Sequence, residues 1–293
     1  MASQQDTKRR IRSIRSTHKI TKAMELVAAA KLRRAQRRIV AMRPYADRML
    51  ELITSTAQAV GHVHGLPLLE SRETRTVALV PLTGDRGLAG AFNAQVLRRS
   101  FTLESNLRAQ GIEVKWLVGG KRGRSSLAFR HRELAKSWTG FSDQPEFGDA
   151  QAVAHSLSEL YASAQVDTVL LVYNRFVTPI TQTVVEQEIL PLPRQVLEGF
   201  EENDAPPVRG EVLYEPDPEA ILARLIPAYL ETEIFRALLE SAASEHGARM
   251  SAMRSASKNA EELIEHLTLV MNRARQADIT REILEVVAGA DAL

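Results

Sequence analysis

The chain has 293 residues, enough for about two domains, and contains no cysteine, which excludes disulfides, thiolate metal sites and cysteine nucleophiles. No run approaches the roughly 18 uninterrupted apolar residues of a membrane span, so any membrane association has to be indirect. The net charge of +2 hides a segregation. Residues 1–38 carry twelve bases against Asp6 and Glu25, a net of +10, while residues 186–219 carry ten acids against Arg194 and Arg209, a net of −8.

A first helix is predicted from just after Ser3 to about Val60, with Asp6 near its positive end, where the helix dipole favours an acid. Ala28, Leu32, Ala35, Ile39, Met42, Ala46, Met49 and Ile53 recur at alternating steps of three and four, the narrow seam of a coiled coil. Pro44 interrupts this stretch, but the seam stays in phase across it, which reads as a kink and not an end. The Arg- and Ser-rich start resembles a transit peptide in composition. The helical pattern runs on without a cleavage-like break, so it is read as part of the mature helix.

Arg75–Leu82 then reads as a buried strand, followed by a Gly-rich turn and a helix from about Ala89 to Gln110. Val114–Val118 is a second strand, Gly119-Gly120 a breaker, and a basic helix starts near Lys121. A helix over Asp149–Ser163 precedes a strand at Thr168–Tyr173, and Thr181–Ile189 alternates like an edge strand. Strands alternating with helices predict a mostly parallel sheet with crossover helices. Residues 199–210 read as an acidic loop. Pro218, with Asp217 as its cap, opens the last helix. Its seam is Leu239, Ala243, His246, Met250, Met253, Ser257, Ala260, Ile264, Leu267, Met271 and Ala274. Over residues 219–287 this helix would be about 100 Å long. The fold class is therefore α/β with a long antiparallel two-helix coiled coil from the two ends and a central Rossmann-like domain. The segments divide as 1–60, 61–215 and 216–293.

Candidate sites are few. Thr83-Gly84-Asp85-Arg86-Gly87-Leu88-Ala89-Gly90 lies between a strand and a helix, where phosphate loops sit. Its spacing fits neither the dinucleotide fingerprint nor a P-loop, so it reads as a tight turn whose polar groups face a partner. His62 and His64, flanked by glycines and without a nearby carboxylate, read as a solvated loop and not a metal pair. His246 falls on the seam, where a polar residue sets register. No nucleophile elbow, HExxH or carboxylate pair appears, and neither catalytic residue, cofactor nor metal is expected. The basic face formed by Arg9, Arg10, Arg33 and Arg34 suits nucleic-acid phosphates. The slim Ala28-Ala29-Ala30 stretch equally suits a shaft in a close-fitting collar.

Four stretches carry a family resemblance. Residues 20–36, from Ile20 through Thr21-Lys22-Ala23-Met24 to Gln36, resemble the N-terminal helix of the γ subunit of F-type ATP synthases. Ala243-Ser244-Glu245-His246-Gly247-Ala248-Arg249-Met250-Ser251-Ala252-Met253 and Ile279–Ala290 are similar to that family's C-terminal helix and terminal signature. Asp85-Arg86-Gly87-Leu88-Ala89-Gly90-Ala91-Phe92-Asn93 resembles its middle motif. The chain departs from the common pattern at Ala89, Thr83-Gly84, Asp278 and Arg281, and it lacks the cysteine-bearing insertion of the chloroplast type.

The resemblance implies a central-stalk rotor of the bacterial type, carrying torque while the chemistry belongs to β. The implied partners are three α and three β subunits, ε and the c-ring. No nucleic acid is among them, and the membrane is met only through the c-ring, at the cytoplasmic face. Carried over by motif position, Met24 and Arg249 would meet the β lever loop. Arg275 and Gln276 would meet the β catch loop, and Thr280 and Glu282 would make contacts higher on the shaft. Asp85, Arg86, Gly87, Gly90 and Asn93 mark the middle-domain motif. The remaining alternative is a nucleic-acid-binding coiled-coil protein using the basic helix.

Overall fold

The computed structural model describes residues 4–60, 66–179, 181–192 and 217–291. His62, His64 and the acidic stretch 199–210 lie outside the described residues. The elements are α1 (Gln4–Val60), β1 (Thr76–Pro81), α2 (Phe92–Ala109), β2 (Glu113–Gly119), α3 (Lys121–Phe129), β3 (Leu134–Trp138), α4 (Phe147–Ala162), β4 (Thr168–Phe176), β5 (Gln182–Leu190) and α5 (Pro218–Asp291). The chain forms two compact units, one of residues 1–29 with 249–293 and the other of residues 30–248.

In the first unit, parts of α1 and α5 pair antiparallel. Thr21 and Ser257 meet through their hydroxyls at 2.8 Å, and the Arg254 guanidinium donates to Glu25 at 3.0 Å. Every one of these four positions except Arg254 is buried. The seam of α1 therefore extends about six turns beyond what the apolar pattern predicts, through Glu25, Thr21, Ile11 and Thr7, all buried. A polar pair on a coiled-coil seam fixes register at some cost in stability. The seam of α5 is buried down to Ala260, half-buried at Ile264, Leu267, Met271 and Ala274, and from Arg275 onward every described side chain is exposed.

Glu25 makes this pairing sensitive to acid. Hydrogen bonds from Arg254 and Lys22 hold its carboxyl below the usual carboxylate range, against the opposing effect of burial. A depressed folded pKa contributes stability above the unfolded value and loses it as pH falls through the folded one. The helix pair is thus expected to loosen below the ordinary carboxylate pKa, with the transition weakened in Glu25→Gln. Helicity followed by circular dichroism across pH 2 to 7 checks this; identical acid transitions in both proteins would contradict it.

The second unit is built on a five-stranded sheet of order β3-β2-β1-β4-β5. β1 pairs parallel with β2 and β4, β2 pairs parallel with β3, and β5 closes one edge antiparallel to β4. Both faces are covered, which explains the continuous apolar run of β1. Ala78, Val80 and Leu82 point to one face, against α4 (Val153, Leu157) and the long helices (Ile53, Leu222, Ile226, Leu230). Leu79 points to the other face, with Val96 of α2 and Leu127 of α3. Each such buried aliphatic side chain is worth roughly 1.5–3 kcal/mol.

Helix starts follow local chemistry. Asp217 accepts the Ala220 amide at 2.8 Å ahead of Pro218, and Glu146 and Asp149 form a capping box at α4. The second helix begins at Phe92, three residues later than expected, because Leu88 (φ 61°) and Gly90 (φ 55°) keep the preceding residues in a turn. β3 was not expected at all. It is a short edge strand whose middle residues, Ala135 and Lys136, are exposed, so no apolar run marks it. Pro44 lies inside a continuous α1.

Candidate functional site

The turn after β1 was the sequence's main candidate for chemistry, and its atoms are spent on the fold. The Asp85 carboxylate accepts three backbone amides: Lys121 at 3.0 Å, Gly140 at 2.9 Å and Ser142 at 3.2 Å. The Asp85 amide in turn donates to the Ser142 hydroxyl at 2.8 Å. Thr83 is buried; its hydroxyl donates to the Gly119 carbonyl at 2.7 Å and accepts the Gly123 amide at 2.9 Å. The Asn93 side-chain oxygen accepts the Gly84 amide at 2.8 Å. One turn thereby ties together the carboxyl ends of β1, β2 and β3 and the first turn of α3.

This geometry gives the loop's polar groups partners within the chain. The helix N-terminus that the loop reaches across the sheet, that of α3, is occupied by the Asp85 carboxylate. In an open α/β sheet the usual ligand crevice lies outside the strand ends where the order reverses, here between β1 and β4. The chain's own α5 fills it. The Ser244 hydroxyl donates to the Asn174 carbonyl of β4 at 2.9 Å, and a Cβ placed on Gly84 would stand 2.8 Å from a Glu245 carboxylate oxygen. Glycine at position 84 is what lets Glu245 approach. The turn is a structural knot.

The middle motif is thus divided. Asp85 and Asn93 turn inward to backbone amides, whereas Arg86 and Gly90 are exposed and Gly87 packs against the Arg122 guanidinium. Leu88, beside them, is 64% exposed at a left-handed φ that leucine rarely adopts. Among the other expected contact residues, Met24 is half-buried and Arg249 only 9% exposed. Arg275, Gln276, Thr280 and Glu282 are all exposed on α5, with the Thr280 hydroxyl donating back to the Gln276 carbonyl at 2.9 Å. Arg9, Arg10, Arg33 and Arg34 are exposed on α1. Exposed Ile279, Ile283, Leu284, Val286 and Val287 accompany the α5 group.

Sequence reading missed the loop after β3. Asp143 there forms an ion pair with Lys31 of α1, and the His246 ring of α5 donates from Nε2 to the Asp143 carbonyl at 3.0 Å. Because a carbonyl only accepts, this bond fixes the proton on Nε2. Burial raises the pKa of Asp143, but the Lys31 bond and the charges of Lys31, His246 and Arg86 together outweigh it and leave the carboxyl below its ordinary value. Nothing in local sequence joins residues 31, 143 and 246; only the fold does. Among the described residues no cluster of histidines and carboxylates suited to a metal occurs, and no helix is long and apolar enough to cross a membrane.

Known proteins resemble this chain along its whole length. The family profile described as ATP synthase matches residues 3–293. The ATP synthase gamma chain of Rubrobacter xylanophilus is 46% identical over 295 residues, covering 100% of this chain and 99% of its own. Among solved structures, a chain from the central stalk and c-ring of Tetrahymena thermophila mitochondrial ATP synthase is 30% identical. It superposes with a TM-score of 0.61 over 81% of this chain and 99% of its own. A chain from Euglena gracilis mitochondrial ATP synthase is 18% identical with a TM-score of 0.67, covering 99% of this chain and 94% of that one, which is a likeness of fold.

Proposed function

This chain belongs to the ATP synthase gamma chain family, and from that premise we propose that it is the central-stalk rotor of a proton-translocating ATP synthase. It transmits rotation of a c-ring, driven by proton flow, to the catalytic β subunits for ATP synthesis, and transmits it in reverse during hydrolysis. The observation that carries this reading is a 46% match running from end to end of both chains. An α/β crevice filled by the chain's own Ser244 and Glu245 supports it, since a part that moves force has no use for a small ligand there.

In this reading the chain itself has no catalytic site; ATP chemistry resides in β. Its partners are three α and three β subunits, ε and the c-ring, and it works at the cytoplasmic face of a bacterial membrane, held there through the c-ring. Met24 and Arg249 meet the β lever loop, and Arg275, Gln276, Thr280 and Glu282 meet the upper parts of the ring. The exposure of the last four leaves them open to such contacts. Contacts between exposed charges are individually worth about 0–1 kcal/mol, weak enough for a shaft to pass from one β subunit to the next. Arg9, Arg10, Arg33 and Arg34 supply positive charge to the same passage.

The direct test is assembly. Purified chain mixed with α and β subunits should give a stable complex that hydrolyses ATP. Failure to co-elute with them, or salt-sensitive capture on DNA in preference to them, would overturn the reading. No structural observation favours the nucleic-acid alternative.

A further inference from the structure

We propose that the loop Gly140–Pro145 is the joint through which turning force passes between the sheet and the two long helices, with Asp143 as its positioning residue; this rests on the rotor reading above. The loop is held from two sides. On the sheet side, the Asp85 carboxylate accepts the Gly140 and Ser142 amides, and the Ser142 hydroxyl accepts the Asp85 amide. On the helix side, Asp143 pairs with Lys31 of α1 and its carbonyl accepts from His246 of α5 at 3.0 Å. Two residues further on, the Pro145 carbonyl accepts from Arg38 of α1 at 2.6 Å. Two residues of one loop, Asp143 and Pro145, thus grip both helices, and the same short loop is bonded through Asp85 to the turn at the end of β1.

The position of the grip matters as much as its bonds. Within the unit of residues 30–248, Lys31 is the second residue and His246 stands two before the last. Each helix is therefore held at the point where its chain enters or leaves the unit. Elsewhere in the unit α5 also bonds to the sheet, through Ser244 to the Asn174 carbonyl and through Glu233 from Gln187, whereas α1 meets the core through apolar side chains such as Met49 and Ile53. Apolar contact resists separation but is non-directional, so it opposes sliding and twisting weakly. Hydrogen bonds weaken steeply away from their preferred angle, and charge-assisted ones are the strong ones. A twist of α1 against the sheet is resisted first by the bonds at Asp143 and Pro145, and the His246 bond to the same loop ties α5 to that grip. Asp143 is well placed to face several cations of α1 at once: Lys31, Arg34 and Arg38 line the same small hollow, with the His246 ring of α5 beside them.

The test uses the whole complex, with this chain assembled with α, β, ε and the c-ring in sealed vesicles. Two quantities are read together: ATP hydrolysis without a proton gradient, and protons pumped per ATP against one. Asp143→Ala is expected to keep hydrolysis within about twofold of the parent while the pumped ratio falls at least threefold under load. Lys31→Met, which breaks the same ion pair from the α1 side and leaves the Asp85 bonds intact, should lower the ratio in the same direction and guards against a simple folding defect in the first variant. Because the chain has no cysteine, a Lys31→Cys/Asp143→Cys variant can be bridged by a short bismaleimide before assembly. Bridging should restore the ratio, which a general loss of stability would not allow. A parental ratio in both single variants, with hydrolysis intact, would overturn the joint while leaving the rotor reading standing. Failure of the unmodified chain to assemble and pump would overturn both.

Discussion

Replacing Gly120 with alanine is expected to destabilise the α/β unit more than any other single methyl addition. Gly120 sits between β2 and α3 at φ 94°, in the left-handed region that side chains avoid. A Cβ there would stand 2.0 Å from the Thr83 carbonyl oxygen and 2.6 Å from its carbon. Both obstacles are backbone, and Thr83 is itself held by the Gly119 carbonyl through its amide and hydroxyl. Neither side can yield cheaply. A strained backbone position costs roughly 1–3 kcal/mol and overpacking a similar amount, so a loss of about 3–5 kcal/mol is expected. Urea unfolding of the chain should show the midpoint falling with an unchanged slope. A loss below about 1 kcal/mol would mean that the Thr83–Gly120 contact is looser than described.

Asp85→Ala is the second large effect. It strips the acceptor from three amides, one from the start of α3 and two from the loop after β3. Hydrogen bonds to a charged group contribute about 1.5–3 kcal/mol each. Two of these three lie at exposed sites where water can replace the carboxylate, which lowers the expected total to about 2–3 kcal/mol. The conservative Asp85→Asn keeps acceptor oxygen but presents an amide donor to at least one donor, so it should lose a substantial part of the same stability. Equal stability for the parent and Asp85→Ala by chemical unfolding would show that the turn is held by Thr83 and Asn93 alone. The effect should be structural in kind: nucleotide added to the parent should leave the unfolding midpoint where it was, because the α3 terminus already has its anion.

These two residues show how far a sequence can be read. The motif around Asp85 was visible as a conspicuous string, and its place between a strand and a helix followed from pattern alone. Its role did not, because the three amides it accepts come from positions 121, 140 and 142, which only the strand order β3-β2-β1 brings to one end of the sheet. The same holds for Lys31, Asp143 and His246. Heptad spacing found the α5 seam as far as Ala274 and the α1 seam from Ala28 onward. It failed before Ala28 because the seam there is carried by Thr7, Thr21 and Glu25, whose polarity hides them from a hydrophobic count. The burial of Thr21 and Glu25 is made tolerable by partners on the other helix, Ser257 and Arg254, that lie more than 200 positions away. β3 went unseen for a related reason: an edge strand needs only one paired side, and its exposed Lys136 and Ala135 break the apolar run. The resemblance of the two terminal stretches reached further than any periodicity, since it joined both ends to one function before any contact between them was known.

The most direct measurement fixes the α and β subunits to a surface and attaches a probe to a cysteine introduced at exposed Arg98 of α2. With ATP supplied, the probe should turn in one direction in regular steps, three to a revolution as a ring of three β subunits requires. A probe that stays still, or wanders without direction while ATP is consumed by the same assembled complex, would contradict the rotor assignment.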